Sequence, residues 1–507
     1  MAQKGIIGMN DKAVLILFFL GLIICPQSNS IRADDRPNIL FCIADDWGWP
    51  HAGAYGDPVV KTPAFDRIAK EGILFENAYI SSPSCTPSRN AILTGQYHWR
   101  LGHGGNLHSI LDTRHQTYPH LLAESGYFTG HWRKSWGPGK VDNWLQTSGG
   151  HPAGKRYPNF NKFLEAWPRD QPFCFWLGAS DPHRGYKLNS GRESGMDLSK
   201  IELFDHYPDS ETIRSDVADY YFEVQRFDSD VSKALAKLES LDLLDSTLVV
   251  MTGDHGMPFP RCKSNLYDSG ARVPMAVRWP DKIPPGRQVT DLVSTTDLAP
   301  TFLAAAGIPI PDSMTGKSWM NILASKKSGR VEASRNRVFT GKERHVPCQE
   351  GDDSGGTPMR AIRTDQFLLI HNYRPDRWPS GTPNYQLANL PGCWLGDCDN
   401  GPTKTYMVEN QDQDAEHQLK YNLAFGKRPE WELYDLTKDP SQLVNIAGEF
   451  EYRDIKSDLI ESLKSELIST EDPRETDQDA DQIFDQSKYF GSGPRHPLFG
   501  NKKKSNR

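Results

Sequence analysis

Three apolar runs restrict the fold more than any other feature of this chain: Ile39-Leu40-Phe41-Cys42-Ile43-Ala44, Pro172 to Gly178, and Thr247-Leu248-Val249-Val250-Met251-Thr252. Each has the length of one strand and lacks the polar alternation of a half-exposed sheet. Such runs are typical of strands buried on both faces of a parallel sheet. Between and after them lie helical patterns. Thr62-Pro63 caps a helix through Ala64-Phe65-Asp66-Arg67-Ile68-Ala69 that ends at Gly72, and others cover Tyr118 to Glu124, Ile213 to Leu244 and Asp297 to Ala306. Leu74 to Ile80, Tyr127-Phe128-Thr129 and Arg337 to His345 are also strand-like. Strands alternating with helices predict an α/β fold with parallel crossovers.

The strand ends carry the chemistry. The first run stops at Asp45-Asp46, the second leads to Ser180-Asp181-Pro182-His183-Arg184, and the third to Gly253-Asp254-His255-Gly256. Open α/β sheets keep their ligands at the carboxyl ends of the strands. Adjacent carboxylates repel unless a cation joins them, and hard divalent cations prefer such oxygens. Leu74 to Ile80 delivers the chain to Ser84-Cys85-Thr86-Pro87-Ser88-Arg89, which opens the apolar helical stretch Asn90-Ala91-Ile92-Leu93. Pro87 suits a first helical turn, and a side chain at position 85 would face the unpaired N–H groups of the helix start, which favour a developing anion. The pattern Cys-x-Pro-Ser-Arg arises by chance in about one chain in a thousand of this length. A buried cysteine capping a core helix is the structural alternative.

At 507 residues the chain can bury a large core, and two domains are expected. From about Arg360 the pattern changes to short strands, Phe367 to His371 and Trp431 to Leu436, with Pro/Gly-rich connections and a helix near Ile455 to Ile468. This predicts a catalytic domain over 31–360, a smaller α+β C-terminal domain over 361–490 and a basic tail over 491–507. The net charge of −7 argues against nucleic-acid partners, though an anionic substrate would need a local basic pocket.

Residues 1–30 have the pattern of a secretory signal peptide: Lys4 and Lys12, an apolar stretch from Ala13 to Cys25, then Ser28-Asn29-Ser30. The stretch is too short for a stable membrane span. Export to the periplasm or the medium is expected. The chain contains no Asn-x-Ser/Thr sequon, which fits a bacterial exported enzyme. Cleavage would leave Cys42, Cys85, Cys174, Cys262, Cys348, Cys393 and Cys398. An odd number suggests one special thiol while six could pair; Cys393 and Cys398 could close a small loop, and Cys42 and Cys174 fit buried strand thiols. No close Cys/His spacing suggests zinc.

Cys85-Thr86-Pro87-Ser88-Arg89 resembles the signature of the type I, formylglycine-dependent sulfatases. Asp45-Asp46, Asp254-His255-Gly256, Lys263 through Pro274, and Glu432-Leu433-Tyr434-Asp435-Leu436 with Asp439-Pro440 resemble other blocks of that family in the same order. Ser180 to Arg184 and Met257-Pro258-Phe259-Pro260 are similar to the heparan N-sulfatase (sulfamidase) branch. The resemblance implies an alkaline-phosphatase-like fold: a large mixed, mainly parallel sheet flanked by helices. It implies hydrolysis of sulfate esters or N-sulfate groups on sulfated carbohydrates such as glycosaminoglycans or algal glycans. Cys85 would be oxidised by a formylglycine-generating maturation enzyme to 3-oxoalanine, whose hydrate supplies an oxygen nucleophile.

Asp45, Asp46, Asp254 and His255 would hold Ca²⁺ together with the oxidised Cys85, imidazole being the least usual donor for that ion. Arg89 would fix the hydrate, Lys134 and Lys263 would neutralise the transferring group, and His183 would protonate the leaving group. Arg184, Lys187, Glu343, Arg344 and His345 are the candidate sugar-reading residues. One departure stands out. The family usually has a His shortly after the lysine matching Lys134, whereas this chain runs Lys134-Ser135-Trp136-Gly137. Either a neighbour such as His131 substitutes, or the pocket has one donor fewer. Competing readings are a phosphatase or phosphonate monoester hydrolase on the same scaffold, and a non-catalytic glycan-binding relative.

Overall fold

A computed structural model describes residues 36–147, 149–476 and 479–499. The expected signal peptide and the basic end Lys502-Lys503-Lys504 lie outside the described residues. The first part of the chain forms β1 (Asn38–Ala44), α1 (Pro63–Glu71), β2 (Ile73–Tyr79), α2 (Cys85–Thr94), β3 (Ser109–Ile110), β4 (Phe128–Trp132), β5 (Gly139–Lys140), β6 (Lys155–Arg156), β7 (Phe173–Gly178), β8 (Thr247–Gly253), β9 (Met275–Arg278) and β10 (Arg287–Ser294). Eight of these strands make one sheet in the order β10-β2-β9-β8-β1-β7-β4-β6. The three apolar runs of the sequence are its central strands: β1 lies between β7 and β8, parallel to both, with Phe41 opposite Trp176 and Val250.

Their uniform apolarity follows from what covers the sheet. One face of β1, through Leu40 and Cys42, packs with Val217, Tyr221, Val224 and Phe227 of the long helix Glu211–Glu239. Ser210 caps that helix by accepting a hydrogen bond from the Ile213 N–H. The other face, through Ile39, Phe41 and Ile43, packs with Ile92 and Leu93 of α2 and with Leu298 and Phe302 of the helix Leu298–Ala305. Phe41 is fully buried, with its ring edge-on to Trp176 at 4.7 Å. Its removal would cost about 3–5 kcal/mol.

The sheet is mixed because of β9, which runs antiparallel to both β2 and β8. This strand was not anticipated: it is four residues long and directly follows Pro274, at the end of a segment rich in turn formers. A second, antiparallel sheet contains β11 (Arg337–Lys342), β12 (Met359–Thr364), β13 (Phe367–Asn372) and β14 (Trp431–Asp435), in that order. Leu459, Leu463 and Leu467, spaced one turn apart on the helix Arg453–Ser469, pack on its Ile362, Leu369 and Leu433. Among the described residues, no helix is long and apolar enough to cross a membrane.

Candidate active site

Parallel strands β1, β7, β8 and β4 end at the same edge of the large sheet, and each passes directly into residues of one cluster. At β1 these are Asp45 and Asp46, at β8 Asp254 and His255, and at β4 Lys134. The β7 exit leads to His183. Asp46 is left-handed, with φ 72°, a conformation that costs a non-glycine residue energy and is concentrated at functional sites. Two strand-end glycines permit close backbone crossings. A Cβ on Gly178 would lie 1.8 Å from the Lys134 carbonyl oxygen, and one on Gly253 2.1 Å from that of Trp47.

Cys85 is the first residue of α2, all ten residues of which are buried. Ser84 precedes it in extended conformation, and its hydroxyl pairs with His345 Nδ1 at 2.8 Å instead of capping the helix. One turn on, Arg89 is fully buried and reaches three strand ends. Its Nε donates to Asp254 Oδ2 at 2.8 Å, one terminal nitrogen to the Lys134 carbonyl at 2.7 Å, and the other to the Ala44 carbonyl at 3.2 Å. Arg89 therefore fixes the helix start relative to the sheet edge as well as balancing charge.

Sγ of Cys85 stands 3.7 Å from Asp45 Oδ1, 3.8 Å from Asp46 Oδ1 and 3.3 Å from His255 Nε2. It marks where the oxygens of an oxidised residue 85 would sit. Burial pushes the thiol well above its ordinary pKa, with Lys134 opposing and Asp45 adding to the effect. A free thiolate is thus disfavoured at this position. His255 Nδ1 lies 2.9 Å from the Gly256 carbonyl, which orients that nitrogen as the donor and turns Nε2 toward Asp46 Oδ1, 3.1 Å away, and Asp254 Oδ1, 3.8 Å away.

Asp46, Cys85 and His255 form one group of mutually close ligand atoms, and Asp45, Cys85 and Asp254 another. Three carboxylates with one imidazole suit a hard divalent cation such as Ca²⁺ better than a softer metal. Asp254 is held well below the usual carboxylate range: burial acts to raise it, and Arg89, His255 and Lys134 outweigh that effect. Asp254 Oδ1 also accepts the Asp46 backbone N–H at 2.9 Å, which binds the β1 and β8 exits together.

Two lysines flank the carboxylates. Lys134 Nζ contacts Asp45 Oδ1 and Oδ2 at 2.5 and 2.6 Å. Lys263 Nζ bridges Asp46 Oδ2 at 2.8 Å and Asp399 Oδ2 at 2.7 Å. Burial opposes the charge on Lys263, yet Asp399 and Asp46 raise its pKa well above the usual value. His183 places Nε2 3.9 Å from Asp46 Oδ2, while Nδ1 lies 2.5 Å from the Arg184 carbonyl. Asp46, His183 and Asp399 also lie together. The side chains of His183 and Asp399 are 34% and 22% exposed, so this side of the cluster opens to solvent.

The structure separates the expected sugar-reading residues. His345 lies at the site: it touches Ser84, and Lys263, Asp399 and His255 all bear on it electrostatically. The other four are committed elsewhere. Arg184 is bidentate to Asp216 at 2.8 and 2.7 Å, and Lys187 pairs with Glu193 on the surface. Glu343 has no exposed side-chain surface and pairs with Arg360 and Arg474. Arg344 donates to the backbone carbonyls of Asp485 and Ser487. Arg184, Glu343 and Arg344 are thus buried and held by partners within the fold, whereas Lys187 stays exposed.

His131 does not supply the imidazole missing after Lys134. It points into the fold, with Nδ1 on the Gly154 carbonyl and its ring stacked on His151 at 4.3 Å. His108 comes to the site instead. Its backbone N–H donates to the Thr86 hydroxyl at 3.3 Å, Leu107 packs with Cys85, and the ring feels the charges of Lys134, Lys263 and His183. Burial, then those cations, lower its pKa to about 4. Sequence reading also missed Asp399, which follows Cys398 in a polar loop with no motif to mark it.

The chain has counterparts among known proteins. The sulfatase family model matches residues 37–308, and the model for the C-terminal part of N-sulphoglucosamine sulphohydrolase matches residues 253–380. Human N-sulphoglucosamine sulphohydrolase is 29% identical over 87% of this chain and 92% of its own length. An ulvan-active sulfatase of Formosa agariphila is 29% identical over 86% of this chain and 81% of its own. A solved structure described as a complex with its substrate D-glucosamine-2-N,6-O-disulfate superposes with a TM-score of 0.61 at 21% identity, covering 87% of this chain and all of that one. The phosphonate monoester hydrolase of Agrobacterium radiobacter superposes with a TM-score of 0.60 at 18% identity, covering 86% and 96%. At such identities the structural likeness shows the fold alone, but the family match spans the sheet, α2 and every strand end of the cluster, and on that basis the chain belongs to the sulfatase family.

Proposed function

We propose that this protein removes sulfate groups from a sulfated carbohydrate, using an oxidised Cys85 and Ca²⁺. The observation that carries this reading is the convergence of Cys85 with three carboxylates and two lysines at one edge of the sheet. Its relatives act, by name, on ulvan and on N-sulphoglucosamine. Asp45, Asp46, Asp254 and His255 would hold the ion, and oxidation of Cys85 to formylglycine would follow synthesis through a maturation enzyme. Bound there, Ca²⁺ would supply positive charge for a sulfate oxygen and for the oxygen nucleophile at residue 85.

The chain's own groups divide the remaining work. Arg89 holds the start of α2 against Asp254. Lys134 and Lys263, whose charges both bear on Cys85, would neutralise the sulfate oxygens, whose charge must be balanced during transfer. His183 is oriented through Nδ1 by the Arg184 carbonyl, leaving Nε2 toward the open side to hand a proton to the departing oxygen or nitrogen. Asp399 keeps the Lys263 ammonium in place and presents a carboxylate beside His183 to a sugar hydroxyl or amine. His108 adds a neutral imidazole on the Thr86 side. Export through residues 1–30 would bring the enzyme to extracellular or periplasmic glycans.

Peptide mass spectrometry across Cys85, on protein made alongside a formylglycine-generating enzyme, tests the central claim. Conversion to formylglycine is expected, and an intact thiol throughout would overturn the hydrolase reading in favour of a glycan-binding relative. Turnover of aryl sulfate over aryl phosphate then separates sulfatase from phosphatase or phosphonate hydrolase. Sulfate release from a panel of O- and N-sulfated mono- and disaccharides identifies the scissile bond.

A further inference from the structure

From Tyr373 to Gly401 the chain runs between β13 and the helix Pro402–Glu409 with only turns and isolated bridges. So long an irregular excursion inside a packed protein is uncommon and needs something other than a hydrogen-bond ladder to hold it. This strap is also functionally placed. Near its end Asp397 pairs with Lys342 at 2.8 Å and accepts the Val346 N–H, and Asp399 pairs with Lys263 in the site.

A buried cysteine of the strap, Cys393, meets another from the segment after β11, Cys348. Cys348 and Cys393 are both fully buried in one small apolar cluster with Val346, Leu107 and Cys85. A Cβ built on Gly396 would lie 2.5 Å from Cys393 Sγ and 3.0 Å from Cys348 Sγ, so both sulfurs crowd the same point. Gly381, at φ +84°, would bring a Cβ within 2.9 Å of Cys348 Sγ, and Gly493, at φ +61°, within 3.3 Å of Cys393 Sγ. Three glycines thus clear the space around one sulfur pair. The two thiols interact directly, Cys348 being the largest influence on Cys393. Cys398, the partner that short spacing suggested for Cys393, packs in the main core instead, with its Sγ 3.6 Å from the Asp399 carbonyl.

We infer that Cys348 and Cys393 form a disulfide that ties the strap to the segment after β11. The step is thiol–disulfide exchange with a protein disulfide or glutathione disulfide as oxidant. One cysteine thiolate attacks the oxidant and releases one of its sulfurs as a thiol, and the second thiolate then displaces the other from the mixed disulfide. The S–S bond forms, two protons and two electrons leave the cysteines, and the oxidant is reduced to two thiols. Closure occurs during folding, because neither sulfur is accessible afterwards. It closes residues 348–393 into a loop, which restricts the unfolded chain, and anchors the strap just before Asp397 and Asp399. Where Cys85 is oxidised as proposed above, closure also removes the two thiols that share its cluster and could add to an aldehyde.

The test is peptide mapping of the purified full chain, unfolded, reduced, refolded in a mixture of reduced and oxidised glutathione, and blocked with N-ethylmaleimide before digestion without reductant. The expected product is a Cys348–Cys393 cross-linked peptide at least tenfold more abundant than any other pair, lost on reduction with a phosphine. Phosphine kept present through unfolding and refolding should also lower the Tm of the wild type but leave the Tm of a C348S/C393S double variant unchanged. Maleimide on both residues, or a Cys393–Cys398 link, overturns the inference. The map reads the bond directly, so its outcome is independent of whether Cys85 is converted or sulfate is released.

Discussion

Two buried charge clusters, one at the edge of the large sheet and one beneath the small sheet, use the same residue types for opposite ends. Beneath the small sheet, Arg360 donates to Asp472 at 2.5 and 3.0 Å and to Glu343 at 2.6 Å, and Arg474 covers the other Glu343 oxygen at 2.6 Å. Arg360, Glu343 and Asp472 expose no side-chain surface. Each carboxylate there meets planar guanidinium donors, a geometry that closes on itself. At the large sheet only Arg89 is used in this way. The other cations are lysines, point charges on flexible stems, and Lys134, His183 and Asp399 reach solvent. Saturation makes a structural clamp; cations that can change partners on an open side make a site for an anionic ligand.

Breaking the closed cluster should have the largest effect. Glu343→Gln leaves two buried guanidinium groups short of charge and is expected to cost about 3–5 kcal/mol, read as a lower urea midpoint. The kcat/KM of the folded fraction should stay unchanged. Lys263→Ala at the open cluster should do the reverse. A loss of about 10²–10³ in kcat is expected, with a small change in Tm, because the group acts on developing charge. Asp399→Asn, which leaves Lys263 paired with Asp46, should lose less.

A third measurement uses Ca²⁺ itself. Adding it to chelator-treated protein should raise stability by about 2.7 kcal/mol at a hundredfold excess over Kd. Asp46→Asn should abolish that increment, whereas Arg474→Lys, at the closed cluster, should keep it. A fourth measurement concerns His131, which burial lowers to about 4 from an unfolded value near 6.5. The unfolded chain takes up that proton first, so stability present above pH 6.5 is lost as pH falls toward 4, at up to roughly 1.4 kcal/mol per pH unit. His131→Phe should flatten that part of a pH–stability curve, read by urea denaturation, without changing the response to Ca²⁺.

The same comparison shows where sequence reading succeeds. Glu343, Arg344 and His345 are adjacent at the end of β11, and sequence offered no way to tell them apart. Yet Glu343 enters the closed clamp, Arg344 binds the backbone of residues 485–487, and only His345 turns to the site. Arg184 follows His183 directly but is taken by Asp216 on the long helix. The choice in each case depends on a partner more than thirty residues away. Local pattern was sufficient for β1, β7 and β8, whose apolar runs are long and unbroken, and insufficient for β9, whose four residues gain their identity from β2 and β8 on either side.

Taken alone, the amino-acid order determined the parallel core, the acids that end its strands and the Cys-x-Pro-Ser-Arg start of α2, because each is a local pattern imposed by burial or by a helix terminus. Only the tertiary structure decided which charged side chains face one another. It brought Asp399 to Lys263, His108 to the Thr86 side of the site and Cys348 to Cys393, across separations that no periodicity records. Coulomb and hydrogen-bond energies depend on distances between atoms in the folded chain, and those distances are set by packing of the whole sheet.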